Sequence, residues 1–277
     1  MRIFGESAKL LARGGVDVGE LAEIEQALGR SLALPEGPRA DVHVHLGLDR
    51  DRHVLSAEDL IPDMDRWGIA RAVVFALNDP GPDGTFGAAN DAVLAAAARH
   101  ESRLVPFCRV DPNAEWEGAL ARAAAGGACG LKLHPVAQRF APESESVIAC
   151  VAAATALGWP VVVHAGFGAR SLAAPLTALL TAVPDARLIL AHGARGDARA
   201  VREALAGHPG VWFDTSLAAL VDLVALPPER LVFGSDRPYG DYATALQLVA
   251  LASRIARWSE SQMRGVLVDH FAALIEP

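Results

Sequence analysis

Eight short aliphatic runs, each followed by a stretch long enough for a helix and two turns, recur along this 277-residue chain. They are "ADVHVH" (40–45), "RAVVFAL" (71–77), "LVPFCRV" (104–110), "CGLKLHP" (129–135), "PVVVHA" (160–165), "RLILAH" (187–192), "VWFDTS" (211–216) and "LVFGSD" (231–236). Continuous apolar runs alternating with alanine-rich helical stretches are the pattern of βα units and a parallel sheet buried on both faces. Eight such units in about 240 residues predict an α/β fold, a (β/α)8 TIM barrel. A doubly wound sheet is the competitor, but its first βα turn would carry a glycine-rich phosphate loop, and "HVHLGLD" has no G-x-G-x-x-G.

The helices carry start signals of their own. Ser56 with Asp59 three residues on resembles a capping box, and Asp111-Pro112-Asn113 is expected to open the alanine-rich stretch that stops at Gly126-Gly127. Ahead of the barrel, "DVGELAEIEQAL" spaces Leu21, Ile24 and Leu28 at helical intervals before "PEGP" breaks the chain. The expected division is a short N-terminal helical extension, residues 1–38, and a barrel domain, residues 39–277. The extension helix is expected to pack on the barrel or on a second subunit of a homo-oligomer.

Charge and cysteine usage limit the partners. There are 25 basic and 33 acidic residues, a formal net charge of -8, and no basic run, which makes nucleic acid and anionic membrane surfaces poor partners. No run approaches the roughly 20 apolar residues of a membrane span, and "MRIFGESAKLLARGG" lacks the apolar core of a secretory signal. Cys108, Cys129 and Cys150 have no CxxC spacing and sit in apolar segments, as reduced thiols of a cytoplasmic protein would.

Polar residues interrupt this apolar pattern at a few places. Asp41, His43 and His45 alternate in the first strand and are expected on one face, the barrel interior. His164 ends the fifth strand, His192 the sixth and Asp236 the eighth, all at the C-terminal face where barrel enzymes build active sites. His192 shares its strand face with Leu190 and Leu188, and Asp236 shares its face with Gly234. Four histidines and a carboxylate are a nitrogen and oxygen donor set suited to Zn²⁺ and tolerable for Mn²⁺ or Fe²⁺. A divalent cation there lowers the pKa of a bound water toward about 7.

With these residues in hand the chain resembles the amidohydrolase superfamily, and within it the amidohydrolase-2 branch of aminocarboxymuconate-semialdehyde decarboxylase and resorcylate decarboxylase type enzymes. The resemblance covers about residues 40–275 and rests on "DVHVH", "GLKLHP", "VVVHAG", "LAHG" and "FGSDRP" in order, with "DMDRWGIARAVVF" and "RLVPFCRVDP" similar to the second and third units. It implies His43, His45, His164 and Asp236 as ligands of one divalent metal ion, with His192 bonding the bound water or the substrate and Asp236 also taking the water's proton. Asp41 would orient a ligand histidine from behind or bond local backbone. The branch often ends on an Asn in a "GDNARRL"-like helix, where this chain has "VLVDHFAAL" with His270, so a helix-to-barrel hydrogen bond is expected to differ.

Lys132 and His134, two apart in "GLKLHP", are expected to face the interior. Lys9 and Lys132 are the sole lysines in an otherwise arginine-based set. In binuclear amidohydrolases a lysine here is carboxylated and bridges two metals; in the mononuclear branch it stays a cation that pairs with Asp236, the substrate or another carboxylate. His134 is a substrate contact or a loop-packing residue. Arg109, Arg139, Arg170, Arg195 and Arg237 follow strands and would suit a small carboxylate-bearing substrate, Arg109 foremost, with Phe167 and Tyr239 as an aromatic wall. Three functions stay open: hydrolysis of a C–N or C–O bond in a small carbonyl compound, non-oxidative decarboxylation of a small unsaturated or aromatic acid, and a metal-binding scaffold without chemistry.

Overall fold

The computed structural model describes residues 34–169 and 171–275. The strands are β1 (Arg39–Leu48), β2 (Val54–Leu55), β3 (Ile69–Ala76), β4 (Leu104–Pro106), β5 (Cys108–Arg109), β6 (Leu131–Leu133), β7 (Pro160–Val163), β8 (Arg187–Leu190), β9 (Val211–Asp214) and β10 (Leu231–Val232). β2 is a two-residue antiparallel partner at the end of β1, and β4 and β5 are one barrel strand interrupted at Phe107. That leaves the eight predicted staves, each parallel to the next.

The cylinder closes between the last stave and the first. Val42 donates to the Phe233 carbonyl at 2.9 Å, Asp236 donates to the His43 carbonyl at 2.8 Å, and His45 donates to the Arg237 carbonyl at 2.7 Å. The fold is therefore a (β/α)8 barrel. Leu34 packs against the core, while the extension helix expected before it lies outside the described residues.

Two apolar layers hold the barrel. The outer one packs strand residues such as Val44, Leu131, Leu133, Val161, Val163, Leu188 and Leu190 against the helices. The inner one is a plug of Val42, Val73, Phe75, Val105, Phe107, Val162, Ile189, Val232 and Phe271. Phe107 fits because Gly130 opposes it: a Cβ on Gly130 would lie 2.4 Å from the ring.

Local signals act as expected at Ser56, the N-cap of α1 (Ala57–Trp67), whose hydroxyl accepts from the Asp59 amide. At Asp111 they do not. Its carboxylate closes a local turn onto the Asn113 amide at 3.0 Å, and the helix there starts at Glu117, because Asp-Pro-Asn serves turns as well as caps. At the C-terminus a π-helical turn (Gly265–Asp269) turns the Val266 carbonyl toward the Phe233 amide at 2.9 Å, and His270 Nδ1 meets the Leu231 carbonyl at 2.7 Å. His270 thus makes the helix-to-barrel hydrogen bond.

Two face assignments differ from strict alternation. Between β1 and β3 the register runs from Asp41↔Ala72 to Val44↔Val74, so β1 carries one extra residue, a bulge. Val42, His43 and His45 consequently face inward, whereas Asp41 faces the helix layer. There it accepts from the Ser235 amide at 3.1 Å and from the Ser235 hydroxyl at 2.5 Å. Leu188 and Leu190 also face outward, so alternation alone would put His192 outside. His192 enters the barrel because its φ of 61° turns the chain at the strand end.

Candidate metal centre

At the C-terminal mouth a cavity of about 280 Å³ is lined by His43, His45, Lys132, His134, His164 and His192, with Asp236, Asn78, Phe167, Leu217 and Tyr239 completing the wall. The inward alternation of β1 after its bulge presents His43 and His45. Asp236, just past β10, is fixed by a φ of 60°, a left-handed position costly for a residue with a side chain. Glycines make room: a Cβ on Gly166 would lie 2.9 Å from the His192 ring, and one on Gly234 would lie 3.1 Å from His43 Cβ.

Three of the expected ligands converge. His43 Nε2 and His45 Nε2 are 3.3 Å apart, and Asp236 Oδ1 is 3.1 Å from each. Both Nδ1 atoms are turned away, His43 to the Asp214 carboxylate at 2.7 Å and His45 to the Ala76 carbonyl at 3.3 Å. With Nδ1–H donated outward on both rings, two imidazole lone pairs and a carboxylate oxygen meet at one buried point. Such a cluster requires positive charge at its centre, and a divalent cation fits this donor set.

His164 stands differently. Its Nε2 donates to the Gly166 carbonyl at 2.7 Å, and its Nδ1 lies 3.1 Å from His192 Nε2. His192 Nδ1 is 2.9 Å from the Ser216 carbonyl. The fifth and sixth staves thus add a histidine pair beside the cluster, not a fourth atom within it.

The electrostatics follow from burial and from the pairing just described. Burial holds the His45 imidazole down to about 3 and, with the neighbouring His192 and Lys132, holds His164 to about 2. Burial would raise Asp214 and Asp236, but His43 offsets it: Asp214 stands at about 2 and Asp236 well below the usual carboxylate range. For His43, burial and Lys132 push down, yet Asp214 and Asp236 outweigh them and raise it. The two carboxylates thus favour positive charge where the lone pairs meet.

Lys132 is buried, with Nζ 3.2 Å from His43 Nε2 and 4.9 Å above the Phe75 ring; burial and Arg109 lower it to about 7. Arg109 is fully buried and reaches the cavity through Asn78, whose Oδ1 accepts from its Nη1 at 2.7 Å. Its Nε and Nη2 make no hydrogen bond among the described residues. The other arginines divide. Arg195 lies over the Phe167 ring at 4.7 Å, Arg139 is exposed, Arg237 pairs with Asp63 at 2.9 Å away from the cavity, and Arg170 lies outside the described residues.

Sequence reasoning missed Asp214. It orients the His43 ring, accepts from the His192 amide at 2.9 Å and accepts from the Ser216 hydroxyl at 2.6 Å. The role considered for Asp41, support of a histidine from behind, belongs to Asp214; Asp41 bonds the His43 amide at 2.9 Å and Ser235. The available signal was "DTS" closing the seventh run, three polar residues where an aliphatic stave ends.

A family model described as amidohydrolase matches residues 40–269. No curated protein matches the chain. Among solved structures, 2,6-dihydroxybenzoate decarboxylase complexed with 2,6-dihydroxybenzoate is similar at a TM-score of 0.68 and 14% identity, over 87% of this chain and 99% of that one. A probable 2-pyrone-4,6-dicarboxylic acid hydrolase from Acinetobacter baumannii with citric acid bound gives 0.63 and 17%, over 86% and 98%. An uncharacterized TIM-barrel protein from Bordetella bronchiseptica gives 0.65 and 15%, over 93% and 91%. At these identities the likeness is one of fold.

Proposed function

The chain belongs to the amidohydrolase family, and from that premise we propose that it is a metal-dependent hydrolase of a small, carboxylate-bearing carbonyl compound. The observation that carries this reading is the convergence of His43 Nε2, His45 Nε2 and Asp236 Oδ1 on one buried point at the mouth of the barrel. Those three residues would hold one divalent ion, zinc first by its affinity for imidazole and carboxylate, with manganese or iron as alternatives. His164 would join as a fourth ligand by giving up the Gly166 carbonyl or by turning Nδ1 from His192. Once bound, the ion would supply a water of lowered pKa and a Lewis acid for the substrate carbonyl.

The chain's own groups do the rest. Asp236 has its second oxygen, Oδ2, without a hydrogen bond among the described residues and takes the proton of the attacking water. His192, held by the Ser216 carbonyl and Asp214, orients the reacting water or the substrate. Lys132, lowered to about 7 by burial and Arg109, supplies at the inner wall an amine that holds or releases a proton near neutral pH. Arg109, through Asn78, fixes the donor face that the substrate meets. The charge balance favours an anionic substrate: a dication with Arg109 outweighs the two inward carboxylates, Asp214 and Asp236. Citric acid and dihydroxybenzoate in the similar structures agree with such a substrate.

The test is metal content per chain by elemental analysis of protein purified without chelator. The metal-loaded protein is then assayed on carboxylate-bearing lactones and amides for acid release, and on unsaturated and aromatic acids for carbon dioxide. One metal per chain with acid release supports the reading, and two metals would support a carboxylated, bridging Lys132 instead. Carbon dioxide from an acid transfers the site to decarboxylation, the chemistry of the dihydroxybenzoate enzyme. Protein that binds no metal on reconstitution removes both readings.

A further inference from the structure

His134 is a cavity residue that the reading above leaves without work. It is the N-cap of a short helix (Pro135–Gln138), and its ring Nδ1 accepts from the Ala137 amide at 3.1 Å. Its backbone amide donates in turn to Gln138 Oε1 at 2.8 Å, and Gln138 Nε2 donates to the Val110 carbonyl at 2.6 Å. The flat of the ring stacks on His164, centroids 3.7 Å apart and planes 12° apart. Position, ring plane and ring orientation are all fixed by neighbours.

The cap bond settles the tautomer. An amide N–H can donate to Nδ1 only if Nδ1 carries a lone pair, so the ring hydrogen of the neutral imidazole resides on Nε2. The residue lines the cavity, and Nε2 makes no hydrogen bond among the described residues. The cavity wall therefore carries an N–H donor that is aligned before any ligand arrives. A donor held in place is the device that stabilises charge growing on an oxygen during acyl transfer.

We propose that His134 is a catalytic residue acting as a neutral electrophile: its Nε2–H donates to the substrate oxygen that gains negative charge when water attacks the carbonyl. No bond to His134 forms or breaks, and it keeps its hydrogen throughout. The proposal rests on the hydrolase reading for the identity of that oxygen, but the state of the ring is a property of the chain alone.

Two variants and one spectrum test it. His134→Asn keeps an acceptor for the Ala137 amide, so the cap, the fold and the metal content should stay as in the parent, but no donor extends to the Nε2 position. His134→Gln can place an amide N–H there. In a long-range proton–nitrogen correlation spectrum of the ¹⁵N-labelled, zinc-loaded full chain at neutral pH, with His134 assigned by its loss in His134→Asn, Nε2 should be the protonated nitrogen. On the compound that the panel above finds to be hydrolysed, His134→Asn should lower kcat by about 10²- to 10³-fold with a smaller change in KM, and His134→Gln should recover part of the loss. A proton on Nδ1, or unchanged kcat in His134→Asn, overturns the proposal. An inert panel overturns the hydrolase reading and the assigned oxygen with it, while the spectrum still reports the ring, so the two failures are told apart.

Discussion

At the scale of single residues, the site depends on side chains that touch the candidate ligands without joining them. Asp214 takes the Nδ1–H of His43 and thereby aims Nε2 at His45 and Asp236, and it also accepts from the His192 amide. Replacing it by Asn removes the charge that holds this tautomer, and metal affinity should fall roughly 10- to 100-fold while the fold persists; competition with a chromophoric chelator reads the change. Unaltered affinity would mean that His43 needs no such support. Gly166 makes the converse point, since what matters there is a missing atom. Alanine at 166 would set its Cβ 2.9 Å from the His192 ring, and overpacking of this kind costs about 1–3 kcal/mol. Urea unfolding of Gly166→Ala should show that loss together with reduced turnover.

At the scale of elements, two devices override simple strand periodicity. The bulge in β1 lets His43 and His45 face the cavity while Asp41 faces the helices, and the left-handed residues His192 and Asp236 carry their side chains inward just past two strand ends. Helix starts behave more locally. The Ser56 hydroxyl satisfies the Asp59 amide at the head of α1, and Ser56→Ala should cost about 0.5–2 kcal/mol in thermal or urea unfolding. Because that cap is remote from the cavity, metal content should not move; a variant that lost metal would contradict the separation of scaffold and site.

For the whole molecule, closure of the cylinder is also the assembly of the site. β1 contributes His43 and His45, the last stave leads to Asp236, and the hydrogen bonds that join them are those that close the barrel. Asp41 and Ser235 lock the same seam from its outer side. Ser235→Ala leaves a buried carboxylate short of a donor, a loss of about 1–3 kcal/mol, and the expected result is a lower unfolding midpoint with one metal per chain retained. Loss of metal without loss of stability in this variant would place Asp41 on the cavity side after all. Among the described residues no helix is long and apolar enough to cross a membrane.

The sequence by itself determined the eight staves, the end of the barrel at which polar residues gather, and the histidines and aspartate found there. Each of these is written locally, in an aliphatic run, in the residue that ends it, or in spacing along one strand. Only the tertiary structure decided which polar residues face the cavity and which partner holds each one. Alternation is a two-residue rule, and one extra residue in β1 or one left-handed φ at His192 resets it without changing the hydrophobic pattern. The pairing of His43 with Asp214 spans 171 positions, and no local propensity encodes a contact that exists only once the barrel has closed.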